Sequence, residues 1–365
     1  MGILLLERWK DSVRARHAFR TVGLVSETDQ KERPDNQRHR LGFHLTLRDV
    51  HPPQLRSLHA LTLLQLDHIC RVRKKISPSR AELEYECKHL VAMARNEDIH
   101  ENLGTYPLWT LKIGASPLIG TAIHDGHAIR PHLVKQMALD EAGRLREEDP
   151  FTAHFIADLP TQIVVHRSRF EVDLNRSPES AVYLDPEQAW GLKVWNEKPE
   201  QNALADLLHQ HASYYRLLHY VLAQAEAQFG KFIVLDVHSY NHRRDGVDSP
   251  PTEQRDAPDI NIGTYSMNRE RWAHVIEPFM ASLRTARVRG RPIDVRENVA
   301  FQGKGEQTRF IHEHFPSSGC AIAVELKKIF MDEWTGKPDH AAIEDLRAAI
   351  TGSFPVLKAA LERSP

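Results

Sequence analysis

From about residue 106 onward, short apolar runs alternate with longer segments in which apolar residues recur every three or four positions. The short runs predict β-strands, and the longer segments predict amphipathic helices. We predict strands over 108–114, 118–124, 161–175, 231–240, 259–266, 291–298 and 320–330, and helices over 130–149, 201–230, 269–286 and 341–363. Only three residues separate the first two strands, so we predict that these two strands form a hairpin.

Strands that alternate with helices of ten or more residues predict an α/β domain over 105–365. We expect a mixed, largely parallel sheet with helices on both faces. In such sheets, functional sites gather beyond the carboxyl ends of the strands. Three residues that can carry chemistry lie at or just past predicted strand ends, namely His124, His238 and Glu325.

The first hundred residues have a different pattern, with no strand-like apolar runs and with more basic than acidic side chains. Leucines at three- and four-residue steps predict a helix over 55–72, and a second helix is predicted over 79–99. Residues 1–104 are therefore predicted to be a helical N-terminal appendage, whose role the sequence leaves open. We interpret the basic stretch "RVRKK" as a solvated helix end in preference to a nucleic-acid contact.

Composition restricts the class of protein. Apolar residues make up 41% of the chain and charged residues 27%, which is typical of a folded globular protein. The formal net charge of −1 argues against a nucleic-acid partner. The three cysteines are isolated, which disfavours a disulfide framework, and the apolar start "MGILLL" is too short for a membrane span. We therefore expect a cytoplasmic protein without a membrane partner.

Histidine is abundant, with 22 among the 365 residues, so a single histidine is a weak indication of a site. Three of them have a more informative setting. His124 and His127 flank Gly126 at a strand end, and His238 follows the apolar run "FIVLD". A hydrolytic zinc site needs three protein ligands and an open position for water. We predict that these three histidines bind zinc.

A zinc-bound water also needs a base. Glu325 ends the apolar run in "CAIAVE", where an acid is costly to bury unless it is used. We interpret Glu325 as the catalytic base, and an ion pair with Lys327 or Lys328 is the alternative.

Other acids lie near these motifs. Asp125 could accept a proton or orient a ligand histidine, and Asp236 shares a strand face with His238 and could hold its imidazole. Capping or solvated roles stay open for both. One acid in "REED", at 146–149, could approach the metal, but we interpret this stretch as a charged helix end before Pro150.

Taken together, the motifs "AIHDGH", "RFEVDLNR", "LDVHSY" and "AVELKK" over about 105–340 resemble those of the N-formylglutamate amidohydrolase family. The resemblance implies a phosphorylase/hydrolase-like fold similar to that of the zinc carboxypeptidases. In the latter a histidine, a glutamate three residues later and a distant histidine followed by Ser-Tyr hold the metal. His124 and His238 match the two histidines, whereas His127 stands where the glutamate is expected, so the second ligand is open.

The resemblance also implies groups that hold the substrate. The Asn-Arg pair that grips a carboxylate matches Asn175 and Arg176, and the late glutamate matches Glu325. Arginine can bind a carboxylate through two parallel hydrogen bonds. Tyr240 could donate to the substrate or pack. N-formylglutamate has two carboxylates, and the candidates for a second cation are Arg130, Arg167 and Arg169.

We therefore expect a zinc-dependent enzyme that hydrolyses N-formylglutamate or a similar N-acyl amino acid. Two alternatives remain. A metallopeptidase or another amidase would use the same groups on a short peptide or a different acyl group. An inactive hydrolase scaffold could act as a binding or regulatory protein. The sequence leaves the oligomeric state open.

Overall fold

The computed structural model describes residues 20–23, 46–48, 99–103 and 106–363, with side chains from Leu108 onward. The chain divides into two compact units, Met1–Arg95 and Asn96–Pro365. In the first unit, β1 (Arg20–Gly23) and β2 (Thr46–Arg48) pair antiparallel. The helices predicted over 55–72 and 79–99 lie outside the described residues, except for Ile99. The helical N-terminal region therefore stays a prediction.

The second unit is built on an eight-stranded sheet in the order β11-β8-β12-β7-β5-β6-β4-β3. Its strands are β3 (Ile99–Leu103), β4 (Tyr106–Lys112), β5 (Leu118–Ala122), β6 (Thr161–Val165), β7 (Phe232–Tyr240), β8 (Ile260–Gly263), β11 (Val295–Glu297) and β12 (Gly319–Lys327). A separate antiparallel ribbon joins β9 (Arg287–Val288) to β10 (Arg291–Pro292). The sheet is mixed and largely parallel, which confirms the predicted fold class.

The four central strands, β12, β7, β5 and β6, are parallel to their neighbours within this group, and β8 and β4 border them antiparallel. The carboxyl ends of the four central strands therefore meet at one edge of the sheet. In the register of β12 and β7, Glu325 pairs with His238. The sheet thus brings together residues that are far apart in the chain.

The hairpin prediction for the first two strands was wrong. β6 lies between β4 and β5, and it pairs antiparallel with β4 and parallel with β5. All five residues of β5 are buried. A strand buried throughout fits the centre of a sheet, where it has a parallel neighbour on each side.

Helices cover the sheet. They are α1 (Pro131–Val134), α2 (Glu141–Glu147), α3 (Thr152–Phe155), α4 (Gln201–Phe229), α5 (Ala273–Arg284), α6 (Glu306–His314), α7 (His340–Gly352) and α8 (Phe354–Glu362). The helix predicted over 130–149 is two short helices, because the chain breaks after α1 and restarts where Asp140 caps α2. The helix predicted over 341–363 is also two, since Pro355 lies in the first turn of α8 and lacks the N–H that a continuous helix needs there.

The two faces of β7 bury different neighbours. Ile233, Leu235 and Val237 join a large apolar cluster with side chains of α3, α5, α7 and α8. The alternate residues point the other way, where the Phe232 ring meets the Phe315 ring just past α6 at a centroid distance of 5.4 Å. Asp236 and His238 share this second face, which α4 and α6 cover.

None of the helices in the described part of the chain is both long enough and apolar enough to span a bilayer.

Candidate metal centre

Two histidines meet at the carboxyl edge of the sheet. His124 follows β5, and His238 lies near the end of the neighbouring strand β7. Their ring centroids are 4.9 Å apart, and the two side chains are 1% and 3% exposed. The Nδ1 atoms lie 3.3 Å (His124) and 3.1 Å (His238) from Oδ2 of Asp149. The three side chains therefore converge on one point.

Asp149 comes from the connection between α2 and α3. Its backbone N–H donates to the carbonyl of His124 at 2.9 Å, and Thr152 Oγ donates to its carbonyl at 2.7 Å. The Ser239 hydroxyl donates to Oδ1 at 3.3 Å. Backbone and side-chain hydrogen bonds thus hold the carboxylate against the two imidazoles.

Each imidazole has a second carboxylate behind it. Oδ1 of Asp173 lies 2.7 Å from Nε2 of His124, and Oδ1 of Asp236 lies 3.1 Å from Nε2 of His238. A carboxylate at Nε2 favours the tautomer with the proton on that nitrogen, which leaves the Nδ1 lone pair for a cation. Nδ1 of His124 is buried, and its closest acidic contact among the described residues is Asp149 at 3.3 Å.

These donor atoms fit a metal ion. Two imidazole nitrogens and one carboxylate oxygen lie within 4.8 Å of one another. Ligands bound to zinc at about 2.0–2.2 Å in a tetrahedron lie about 3.3–3.6 Å apart. The separations of 3.3 and 3.1 Å to Asp149 are close to that spacing. The two contacts to Asp149 are therefore spaced much as a bound metal ion would require.

The electrostatics of the cluster also favour a cation. Burial alone would raise the pKa of Asp149, but hydrogen bonds and charge from His124 and His238 lower it well below its ordinary value. Burial would lower the pKa of His238, but Asp236 and Asp149 raise it well above the usual range. The acids outnumber the imidazoles, so the centre attracts positive charge, either protons or a metal ion.

Glu325 lies on β12, next to β7, and is half-buried. Burial raises the pKa of Glu325 to about 7, with the charge of His238 opposing and that of Asp149 adding to the effect. A carboxyl group with a pKa near neutrality can exchange protons with water at physiological pH. Its strand position and its pKa are both suited to acid–base chemistry.

His127 lies apart from this cluster. Its Nδ1 makes a short hydrogen bond to Glu148, and its Nε2 lies 3.5 Å from Glu141 at the surface. The side chain is 33% exposed. The hydrogen bond to Glu148 raises the pKa of His127. The structure thus brings Asp149, and not His127, to His124 and His238.

Asp125 makes its hydrogen bonds at the start of α3. Its carboxylate accepts from the backbone N–H of Ala153 at 3.0 Å and from the Thr152 hydroxyl at 3.4 Å. These contacts hold the first turn of α3, directly after Asp149. Asp125 and His127 therefore both contact the segment that carries Asp149.

Asn175 lies between the cluster and α6. Its Nδ2 is 3.5 Å from Nε2 of His238, and its Oδ1 accepts from the backbone N–H of Gln307 at 3.3 Å. Arg176 is the more exposed of the pair, with 43% of its side chain accessible, and its Nε lies 4.0 Å from Asp173. Arg176 thus exposes much of its side chain to solvent beside the buried Asp173.

The three candidates for a second substrate cation have acidic partners within the protein. Arg130 Nε lies 3.1 Å from Glu171, and Arg167 Nη1 lies 3.9 Å from the same carboxylate. Arg169 donates to Asp173 at 2.7 Å. These three side chains are 2–12% exposed, against 43% for Arg176, so Arg176 is the arginine of the set that is most open to solvent.

Tyr240 is 5% exposed, and its hydroxyl donates to the carbonyl of Pro258. Its ring meets that of Phe301 at a centroid distance of 5.3 Å. The structure therefore shows Tyr240 packed and hydrogen-bonded within the protein.

Three polar residues of the site were not predicted as site residues. Asp149 was one acid of "REED", which we interpreted as a charged helix end, and no sequence signal singled out Asp173 or Gln307. Gln307 donates to Asp236 at 2.5 Å and accepts from the Tyr214 hydroxyl, so its amide orients the carboxylate behind His238. The "REED" run before Pro150 was the one signal for Asp149.

The fold and the site define a class: an α/β protein whose carboxyl sheet edge holds two histidines, an aspartate and a neighbouring glutamate suited to hydrolysis. The family model described as N-formylglutamate amidohydrolase matches residues 116–331. This match covers more than half of the chain, and the chain belongs to that family. Membership supports an amide hydrolase as the class of activity.

A solved structure supports the fold. The chain is similar to the N-formylglutamate amidohydrolase from Ralstonia eutropha, with a TM-score of 0.53, 16% identity, and coverage of 69% of this chain and 96% of that one. It also resembles a gene product from Agrobacterium tumefaciens, with a TM-score of 0.49, 17% identity, and coverage of 68% and 90%. No curated protein matches the sequence.

Proposed function

We propose that this chain is a metal-dependent amidohydrolase that cleaves N-formylglutamate, or a closely similar N-acyl amino acid, to a carboxylic acid and the free amino acid. The observation that supports it best is the convergence of His124, Asp149 and His238 on one point beside the strand that carries Glu325. Two imidazoles and one carboxylate are the ligand set of many hydrolytic zinc sites, so zinc is the metal that we propose.

These three residues would hold a divalent cation, which would supply a lowered pKa for water and polarisation of the amide carbonyl. Glu325 takes a proton as the water oxygen bonds to the acyl carbon. The carbon–nitrogen bond then breaks, and Glu325 returns the proton to the leaving nitrogen. Asp173 and Asp236 keep the two imidazoles in the orientation that presents Nδ1.

Arg176 is the residue that we propose for the substrate's carboxylate. Its side chain is 43% exposed, and its ion-pair contact among the described residues is Asp173, 4.0 Å from Nε. A planar guanidinium can hold a carboxylate through two hydrogen bonds and so place the amide over the metal. Asn175, which lies between Arg176 and His238, could contribute its Nδ2 donor to the same group.

The function is tested on the full chain, stripped of metal and reloaded with zinc. We expect one zinc per chain and faster hydrolysis of N-formylglutamate than of N-acetylglutamate or a short peptide. A preference for peptides would instead favour the metallopeptidase. Stoichiometric zinc without turnover of any of these would favour the inactive binding scaffold.

Two further aspects of the prediction stay proposals. The catalytic domain is proposed to begin near residue 105, although β3 (Ile99–Leu103) already pairs in its sheet. A cytoplasmic location is proposed from the isolated cysteines, of which Cys320 is buried as a free thiol.

A further inference from the structure

A buried lysine lies at the end of β12, three residues after Glu325. Lys328 is 1% exposed, and its Nζ donates to the backbone carbonyls of Arg146 at 2.5 Å and Glu148 at 2.8 Å. Burying an ammonium group is costly unless hydrogen bonds replace the lost water. The two carbonyls supply such bonds, so the lysine joins β12 to the segment that contains them.

That segment leads directly to the proposed metal ligand. Arg146 belongs to the last turn of α2, Glu148 is its C-cap, and Asp149 is the next residue. A positive charge at the carboxyl end of a helix binds the carbonyls that lack partners within the helix. The bond to Glu148 O is therefore made one residue before the carboxylate that faces His124 and His238.

The same lysine is also tied to β7. Its backbone N–H donates to the carbonyl of Tyr240 at 3.0 Å. Tyr240 lies two residues after His238 on that strand. Lys328 thus bridges the strand that carries one proposed ligand and the segment that carries another.

From the sequence, an ion pair with Lys327 or Lys328 was the alternative role for Glu325. In the structure, the Nζ atom of Lys327 contacts Asp259, Gln254 and the carbonyl of Ala257. The contacts of the Lys328 Nζ are the two carbonyls beside Asp149. Both lysines are buried and bound to backbone carbonyls, but only the carbonyls bound by Lys328 lie next to Asp149.

We propose that Lys328 is a positioning residue that holds Asp149 at the metal centre. The inference rests on the proposed function, because it assumes that Asp149 binds the metal. Without the ammonium group, the end of α2 loses the donors for two carbonyls, and the Asp149 carboxylate loses its fixed distance from the imidazoles.

The test compares Lys328→Met with the matched control Lys327→Met, both in the full chain. The first measurement is hydrogen exchange of the backbone amides at 145–152 in metal-free protein. We expect at least tenfold faster exchange there in Lys328→Met and no change in Lys327→Met. The proposal would be overturned if these amides exchanged at the wild-type rate in Lys328→Met, or if the exchange rate increased equally in both variants.

The second measurement is zinc affinity, determined by competition with a chromophoric chelator below the unfolding temperature of every variant. Loss of a group that orients a ligand typically lowers metal affinity 10–100-fold, and we expect this for Lys328→Met. The zinc affinity of the control variant Lys327→Met should stay within about twofold of wild type. Lys328→Arg keeps the charge and the donors and should recover most of the affinity, which a general loss of packing would not predict.

The two measurements separate this proposal from the proposed function. If wild-type protein takes up no zinc, the proposed function fails, while the exchange measurement still decides whether Lys328 holds the segment. If zinc binds and Lys328→Met binds it as tightly as wild type, the positioning role fails and the metal centre stands. If Lys328→Met does not fold, Lys328→Arg and Lys328→Gln provide the same comparison.

Discussion

Nε2 of His124 lies 2.7 Å from Oδ1 of Asp173, and this contact turns Nδ1 of His124 toward Asp149. Asp173 is fully buried and also accepts from Arg169 and from the Tyr183 hydroxyl. Arg169 is the main cause that keeps the pKa of Asp173 well below its ordinary value despite burial. The carboxylate is thus ionised and can hold a neutral imidazole in one tautomer. This arrangement underlies the predictions below.

The proposed ligand set predicts different zinc affinities for substitutions at Asp149, which is a proposed ligand, and at His127, which is not. Asp149→Asn should lower zinc affinity at least tenfold, because it weakens one of the three converging donors. His127→Ala should retain one zinc per chain with affinity within a few fold of wild type. Metal content and competition with a chelator check both. Loss of zinc in His127→Ala with retention in Asp149→Asn would contradict the assignment.

Glu325 is expected to matter for turnover and not for metal uptake. A positioned general base typically contributes 10²–10⁴-fold in rate, so Glu325→Gln should lower kcat by about that factor. Zinc content and thermal stability should be unchanged or higher. Steady-state kinetics with N-formylglutamate, paired with metal analysis, tests this. Wild-type kcat in Glu325→Gln would show that another group moves the proton.

The raised pKa of Glu325 also predicts a pH dependence of stability in metal-free protein. The carboxyl group has an ordinary pKa of 4.5 when unfolded and about 7 when folded. The folded state therefore holds the proton more tightly, and stability falls as pH rises from 4.5 to about 7. Glu325→Gln lacks this loss, so its free energy of unfolding at pH 8 should exceed that of wild type by up to about 3 kcal/mol. Urea unfolding of both proteins at pH 5 and pH 8 measures these free energies. A difference between variant and wild type that is the same at both pH values would contradict the prediction.

Arg176 is predicted to act on substrate binding. Arg176→Ala should raise KM for N-formylglutamate roughly 10–100-fold, the loss that about 1.5–3 kcal/mol of a charged hydrogen bond produces. Arg176→Lys keeps the charge without the planar fork and should recover part of the loss. Arg255, which is 78% exposed and pairs with Asp256, provides a surface control. An unchanged KM in Arg176→Ala would move the carboxylate site elsewhere.

Gly126 is predicted to be intolerant of a side chain. A Cβ there would lie 2.2 Å from the carbonyl carbon of His166, a backbone atom that cannot move aside cheaply. Gly126→Ala should therefore destabilise the protein by about 2 kcal/mol or more and disturb His124. At Gly352, a Cβ meets nothing within 4 Å, so Gly352→Ala in α7 should be neutral or stabilising by up to about 1 kcal/mol. Thermal unfolding of the two variants tests this contrast in stability. Equal changes in melting temperature for Gly126→Ala and Gly352→Ala would contradict the prediction.

The local sequence was sufficient for the strands that carry the centre. The four apolar residues before Asp236 and the five before Glu325 predict buried strands, and parallel strands bring their carboxyl ends to one edge. Both His124 and His238 were found by that reasoning, since a residue at the end of a strand is placed by the sheet itself. The strand that pairs with β5 was not found in this way. A short connection between β4 and β5 is compatible with a hairpin, and it is equally compatible with a third strand inserted between them.

Only the tertiary structure decided the third member of the cluster. Spacing along the chain put His127 near His124, but the turn after β5 directs His127 to Glu148 and the surface. Asp149 is 25 positions from His124, and it reaches the imidazoles because hydrogen bonds from outside its own segment hold that segment in place. The periodicity of a sequence reports which face of an element is buried. It carries no information on which loop from another part of the chain packs against the end of that element. The sequence therefore showed the residue types of the site, and only the tertiary structure showed which of them lie together.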